Sequence, residues 1–173
     1  VITKFTGGSI YFDGTGDYLN TNPGAAIANP GTIWTVEGWF YPTTVVGTGA
    51  MVNINTGSAN QGINIYRNGA TITVDNGGSA GTGPSGGTLV ANTWQHVAVA
   101  SDGTSTRLFL NGTQVGSTYT GTVTSGTPSQ MWVGSSVAGL TAWTGYMQDV
   151  RITNGYARYT TNFAAPTAAF PTL

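Results

Sequence analysis

No stretch of this chain longer than Thr88–Asp102 is free of both glycine and proline, and that spacing limits what the chain can fold into more than any other feature. A helix shorter than about 12 residues is marginal on its own, so an uninterrupted run of at least that length is needed. The one stretch long enough, TLVANTWQHVAVASD, is rich in β-branched and aromatic residues and carries a corner at Asn92-Thr93, so it reads as strand, turn, strand. The chain is expected to be built of strands.

Apolar residues alternate with period two at Ile10/Phe12, Val52/Ile54, Ile63/Ile65, Ile72/Val74, Val97/Val99, Leu108/Leu110, Met131/Val133 and Val150/Ile152. The positions between them include Asn53, Asn64, Thr73, Arg107, Trp132 and Arg151, as expected when one sheet face packs inward and the other does not. Asn68-Gly69, Asp102-Gly103 and Asn111-Gly112 stand between such runs, and these dipeptides tolerate the positive φ angles of tight hairpins. The segment from Asn76 to Gly87, NGGSAGTGPSGG, reads as a mobile loop between strands. The fold class is therefore all-β, with two antiparallel sheets stacked as a sandwich.

Composition narrows the partners. The chain has 173 residues with no shift in composition along it, so residues 1–173 form a single domain. Five Lys and Arg against six Asp and Glu leave a net charge of −1 and no basic stripe for a phosphate backbone, so no nucleic-acid partner is expected. Cysteine is absent, which excludes disulfides, thiolate metal sites and a cysteine nucleophile. No apolar run is long enough to cross a bilayer, so membrane insertion is not expected. Val1 is neither an initiator Met nor the start of a signal-peptide pattern, and the chain reads as an excised or processed piece.

Four segments in order, SIYFDGTGDYLN, WTVEGWFYP, NTWQHVAVASDGTSTRLFLNGTQVG and GYMQDVRITNGYARYTTNFAAPTAAFP, resemble laminin-G-like domains of the concanavalin A-like lectin and glucanase superfamily. The resemblance implies a jelly-roll sandwich. The last segment is similar to the closing strand and tail of such domains in bacteriophage virion proteins. That similarity implies a non-enzymatic structural or binding module on a virion surface, as a capsid decoration or a tail or head fibre domain. Its implied partners are other virion structural proteins, with cell-surface glycans as a further ligand class. The alternative is a carbohydrate-binding adhesin or lectin domain of a secreted or cell-surface bacterial protein, hence extracellular.

Fold does not fix function, so each chemistry has to be tested on residues. Retaining hydrolysis needs two carboxyl groups about 5 Å apart, and Glu37 is the only glutamate, with no acidic neighbour along its own strand. It is expected to pair with a cation such as Arg151, and no catalytic residue is assigned. His96, the only histidine, lies within a strand pattern and is expected to serve packing. Related laminin-G and pentraxin domains often bind calcium. Here Asp13 and Asp17 bracket a Gly-rich turn without the acidic ligand series a calcium loop requires, so no metal ligand and no cofactor is assigned. Carbohydrate recognition asks for aromatic faces together with amide and hydroxyl groups. Trp143 in the loop VAGLTAWTG, Trp132 facing away from Met131 and Val133, and Tyr66 with Asn64 opposite Ile63 and Ile65 are the candidate carbohydrate-binding residues. Trp34, Phe40 and Trp94 are expected in strand cores. Asn111-Gly112-Thr113 fits a glycosylation sequon and equally a hairpin turn.

Overall fold

The computed structural model describes residues 2–21, 30–55, 62–76, 81–121, 123, 130–136 and 141–171. It contains the strands β1 (Ile10–Asp13), β2 (Leu19–Thr21), β3 (Ile33–Pro42), β4 (Thr48–Asn55), β5 (Ile63–Asn68), β6 (Thr71–Asn76), β7 (Ser85–Thr88), β8 (Gln95–Asp102), β9 (Ser105–Leu110), β10 (Thr113–Thr120), β11 (Gln130–Val133) and β12 (Thr144–Asn154). Among the described residues there is no helix. The strands form two six-stranded sheets in the orders β1-β12-β3-β8-β9-β10 and β2-β11-β4-β5-β6-β7, and every pairing is antiparallel.

The alternating apolar positions meet between the sheets. Trp34, Val36, Phe40, Val97, Val99, Leu108 and Met147 of the first sheet pack against Val52, Ile54, Ile63, Ile65, Ile72, Val74 and Val133 of the second in one buried cluster. The three expected hairpins are present: Asn111 and Gly112, with φ of 51° and 82°, join β9 to β10 in the conformation that an Asn-Gly turn permits. β12 departs from simple alternation. Between Gln148 and Arg151 its register against β3 shifts, Asp149 takes a φ of 53°, and this bulge lets Val150 and Ile152 pack against the core although Met147 already does.

The Asn76–Gly87 segment is not a loop throughout. Residues 77–80 lie outside the described residues, but Ser85–Thr88 forms β7 and pairs with β6. The glycines serve close approach: a Cβ on Gly86 would lie 2.6 Å from the Gly116 backbone nitrogen, so side-chain-free residues let the edges β7 and β10 meet and close that flank of the sandwich. Trp94 is also displaced from its expected place. It precedes β8 and is half-buried against Tyr41, with ring centroids 5.5 Å apart.

Both chain ends pass over the outer face of the first sheet. Gln148 receives the backbone N–H groups of Lys4 and Phe5 at 2.8 and 3.2 Å, and Phe5 packs edge-on against Trp39. From the other end, Tyr159 and Phe163 stack at 3.5 Å over a second small core of Ala98, Ala100 and Phe109. Gly112 seats this tail, accepting from Phe163 N–H at 2.9 Å, and a Cβ at that position would collide with the Phe163 carbonyl oxygen.

Candidate functional site

Glu37 lies at the centre of the strapped face. β3 turns it outward, away from Val36, and the tail then encloses it to 1% exposure. Arg151 donates from Nε and Nη2 to Oε1 at 3.1 and 2.7 Å, and Tyr159 donates to Oε2 at 2.8 Å. Arg158 Nε stands 3.7 Å from Oε1. His96 Nε2 stands 3.3 Å from Oε2, but the ring is not aligned for a good hydrogen bond, so the contact is one of proximity. Burial pushes the Glu37 carboxyl up, and the neighbouring His96, Arg151 and Tyr159 groups outweigh that and hold it below the ordinary glutamate range. Burial and Glu37 together push the Tyr159 phenol up to about 12. A carboxylate so enclosed and so fully matched cannot reach a polymer as acid or nucleophile. His96 is fully buried among Trp39, Phe163 and Phe170, in the packing role expected of it.

At the β1–β2 turn, Thr15 N–H donates to Asp13 Oδ1 at 2.6 Å and Asp13 N–H to Asp17 Oδ2 at 3.0 Å. The two carboxylates accept backbone N–H groups of their own turn. Among the described residues no group of three His, Cys, Asp or Glu side chains could hold a metal ion.

A cleft of about 880 Å³ opens between the sheets at their β1 and β2 edges, lined by Ile10, Phe12, Leu19, Met131 and Met147 among others. Asp149 is its only ionisable lining group among the described residues, and its Oδ2 accepts from Phe170 N–H at 3.1 Å. This cleft offers apolar surface and no reactive pair.

The outer face of the second sheet has a different character. Asn20 pairs with Trp132, Trp132 with Asn53, Asn53 with Asn64 and Asn64 with Asp75, so one row of polar and aromatic side chains crosses β2, β11, β4, β5 and β6. At the usual strand spacing this row is about 19 Å long. A second row, Tyr66, Thr73 and Ser85, runs beside it, and Tyr66 donates to Asp75 Oδ2 at 2.6 Å. Burial first, and then Asp75, pushes the Tyr66 phenol well above the usual tyrosine range. Asn55 donates to Asn53 Oδ1 and fixes its amide. Tyr18, 43% exposed, leans on Trp132 with ring centroids 4.8 Å apart. Among the described residues, Trp132 Nε1, Asn64 Oδ1 and Asp75 Oδ1 are buried without a hydrogen-bond partner, an obligation that native structures seldom leave unmet.

The candidate carbohydrate-binding residues divide accordingly. Tyr66 and Asn64 share this outer face and are half-buried. Trp132 lies on it, but at 8% exposure beneath Tyr18 it shows little of its ring. Trp143 requires correction: it is fully buried in the core, edge-on to Phe40 and beneath the Arg67 guanidinium, with no face toward solvent. A Trp within a Gly-rich loop reads as exposed, whereas here its backbone N–H donates to Gly134 O at 2.8 Å and the ring turns inward. Tyr18, Asn20, Asn53 and Asp75 share this face and are not among the sequence candidates. Their alternation in YLNT, MVNIN and TITVDN was visible, but the order in which the strands pair was not.

A model of the laminin-G branch of the concanavalin A-like lectin/glucanases superfamily matches residues 13–158. No curated protein matches the chain by sequence. Among solved structures it is similar to the heptameric SAP-like pentraxin of Limulus polyphemus (16% identity, TM-score 0.61, 83% of this chain and 74% of that one). It is also similar to domains LG4-5 of the mouse laminin α1 chain (13% identity, TM-score 0.65, 91% of this chain and 46% of that one). A third likeness is to the CBM40 domain of the Ruminococcus gnavus IT-sialidase, bound to α2,3-sialyllactose (15% identity, TM-score 0.64, 83% of this chain and 86% of that one). These likenesses concern the fold, and with the family match over most of its length the chain belongs to the laminin-G-like branch of the concanavalin A-like lectin/glucanases superfamily.

Proposed function

We propose that the chain is a non-catalytic binding module that holds a glycan on the outer face of its second sheet. The observation that carries this reading is the row Asn20–Trp132–Asn53–Asn64–Asp75, flanked by Tyr18 and Tyr66. Asn20 and Asn64 are the half-buried amides of this row, Asn53 lying beneath them bonded to Asn55, and sugar hydroxyls are both donors and acceptors, so these two amides match a hydroxylated ligand. Tyr18 supplies the exposed apolar ring that covers the non-polar side of a sugar. Fold relatives that bind carbohydrate, such as the CBM40 domain with sialyllactose, support the class of activity. The enclosed Glu37 supports binding without turnover.

A panel of immobilised oligosaccharides tests the reading. Binding should fall at least about tenfold in Asn64→Ala and in Tyr18→Ala, the loss expected when a polar or stacking contact worth about 1.4 kcal/mol is removed. Silence across the panel, or binding indifferent to both substitutions, would remove it. On the resemblance of residues 145–171 to virion proteins, we place the module on a virus particle surface, docked to other virion proteins. Immunogold labelling of source particles should decorate their surface, and unlabelled particles would dismiss that placement.

A further inference from the structure

If the outer face of the second sheet is a glycan platform, the distribution of charge over the chain selects the class of glycan. The sequence contains the cations Lys4, Arg67, Arg107, Arg151 and Arg158, the single histidine His96, and the acids Asp13, Asp17, Glu37, Asp75, Asp102 and Asp149. All of them fall among the described residues, so no charged side chain lies in the remaining segments.

Four of the cations belong to the strapped face of the first sheet. Lys4 Nζ lies 4.2 Å from the Trp39 ring centroid, Arg107 pairs with Asp102 at 2.7 Å, and Arg151 and Arg158 both face Glu37. Arg67 starts on β5 of the second sheet, but on the side of Ile63 and Ile65. Its Nη1 donates to Val46 O and Gly47 O at 2.9 Å each, and its guanidinium is sealed against Trp143 between the sheets. The outer face of the second sheet therefore carries no cation. It carries the Asp75 carboxylate, 4% exposed with Oδ1 unpartnered among the described residues, and Asp13 and Asp17 stand in the turn entering β2.

An anionic sugar brings a carboxylate or sulfate that loses water on binding, and a guanidinium or ammonium compensates that loss best. This face offers amides, hydroxyls, rings and one like-charged group. We infer that the site takes neutral, hydroxyl-rich glycans and rejects sialylated, uronic or sulfated ones, with Asp75 as the specificity-determining residue. The inference rests on the glycan reading above. An acceptor-only carboxylate favours hydroxyl donors, and a carboxylate at the β6 end of the row penalises an anion held over β5 and β6, which stand about 5 Å apart.

Calorimetric titration with matched pairs, lactose against 3′-sialyllactose and an unsulfated against a sulfated galactan oligosaccharide, tests this. At low ionic strength the neutral member of each pair should bind at least about tenfold more tightly. The gap should narrow in high salt, and it should narrow in Asp75→Asn, whose fold is checked by circular dichroism. Should that variant not fold, the salt dependence of the unaltered chain still decides. Equal or tighter binding of the anionic members overturns the neutral preference and leaves the glycan reading standing. No binding by any member overturns both.

Discussion

Arg151 forks onto Glu37, its Nε and Nη2 both donating to Oε1, at 3.1 and 2.7 Å. Glu37 is fully enclosed and Arg151 is partly exposed, so the pair is sealed from one side only. Cutting the negative partner leaves Arg151 and Arg158 facing each other without it. Glu37→Gln should cost about 2 kcal/mol in denaturant unfolding at neutral pH. Its sign with pH is fixed by the folded carboxyl lying below the ordinary value of 4.5. The stabilisation is complete above that value and is lost as pH falls through the folded one. Melting temperature should drop more steeply below about pH 4.5 in the unaltered chain than in the variant. Asp102, held low chiefly by Arg107 and also by Thr104, adds a component that the variant retains. Parallel acid profiles for the two proteins would show that Glu37 is not the group that titrates.

At the alkaline end the relevant groups are phenols. Tyr159 is pushed up to about 12 and Tyr66 higher still, in both cases by burial first and a neighbouring carboxylate second. A phenol with a raised folded value stabilises below its ordinary value of 10, and that contribution disappears as pH rises from there toward the folded value. The Tyr66→Phe, Tyr159→Phe double variant should therefore lose less stability between about pH 10 and 12 than its parent. At neutral pH, Tyr66→Phe strips the Asp75 carboxylate of the one side-chain hydrogen bond it has among the described residues, at a cost of about 1–2 kcal/mol. Ultraviolet titration and urea melts read the two effects, and a neutral-pH cost near zero would show that Asp75 is satisfied without Tyr66.

Much of this was legible before any coordinates. Period-two alternation at Ile63/Ile65 and Ile72/Val74, with Asn68-Gly69 between them, dictates a hairpin with one buried face, and β5–β6 is that hairpin. Glu37 beside a cation was legible for the simpler reason that a lone strand carboxylate has to be matched. What local patterns do not encode is which distant segments meet. The tail residues Tyr159 and Phe163 show no periodicity, and their partner Phe109 is known only once β9 and the tail share a face. The bulge at Asp149 likewise follows from pairing between β12 and β3, and Trp143 was misplaced because a glycine-rich neighbourhood describes the backbone and not the direction of a ring.

Trp143 separates structure from recognition. With the ring fully buried beside Phe40 and Arg67, Trp143→Ala should cost about 3–5 kcal/mol through the cavity it opens. Trp143→Phe, which fills most of that space, should cost about half as much and leave glycan affinity within twofold of the parent. A Trp143→Phe protein with unchanged melting temperature and abolished binding would return this ring to the recognition surface.

Gly112 decides whether the tail stays seated. Its φ of 82° suits a residue without a side chain, and alanine there costs about 1 kcal/mol before any contact is counted. The added Cβ also meets the Phe163 carbonyl oxygen, so the 2.9 Å bond from Phe163 N–H to Gly112 O has to lengthen. The stacked pair Tyr159–Phe163 would lift from Ala98, Ala100 and Phe109, and Glu37 would lose its Tyr159 donor. Gly112→Ala should therefore destabilise by about 2–3 kcal/mol and, well below the melting transition, open the chain to trypsin after Arg158. Phe163→Ala disturbs the same seat, so the two substitutions together should cost less than their sum. Strict additivity, or a Gly112→Ala protein as trypsin-resistant as its parent, would mean that the tail is held by its other contacts, such as Arg158 N–H on Thr35 Oγ1 at 2.9 Å, and not by this turn.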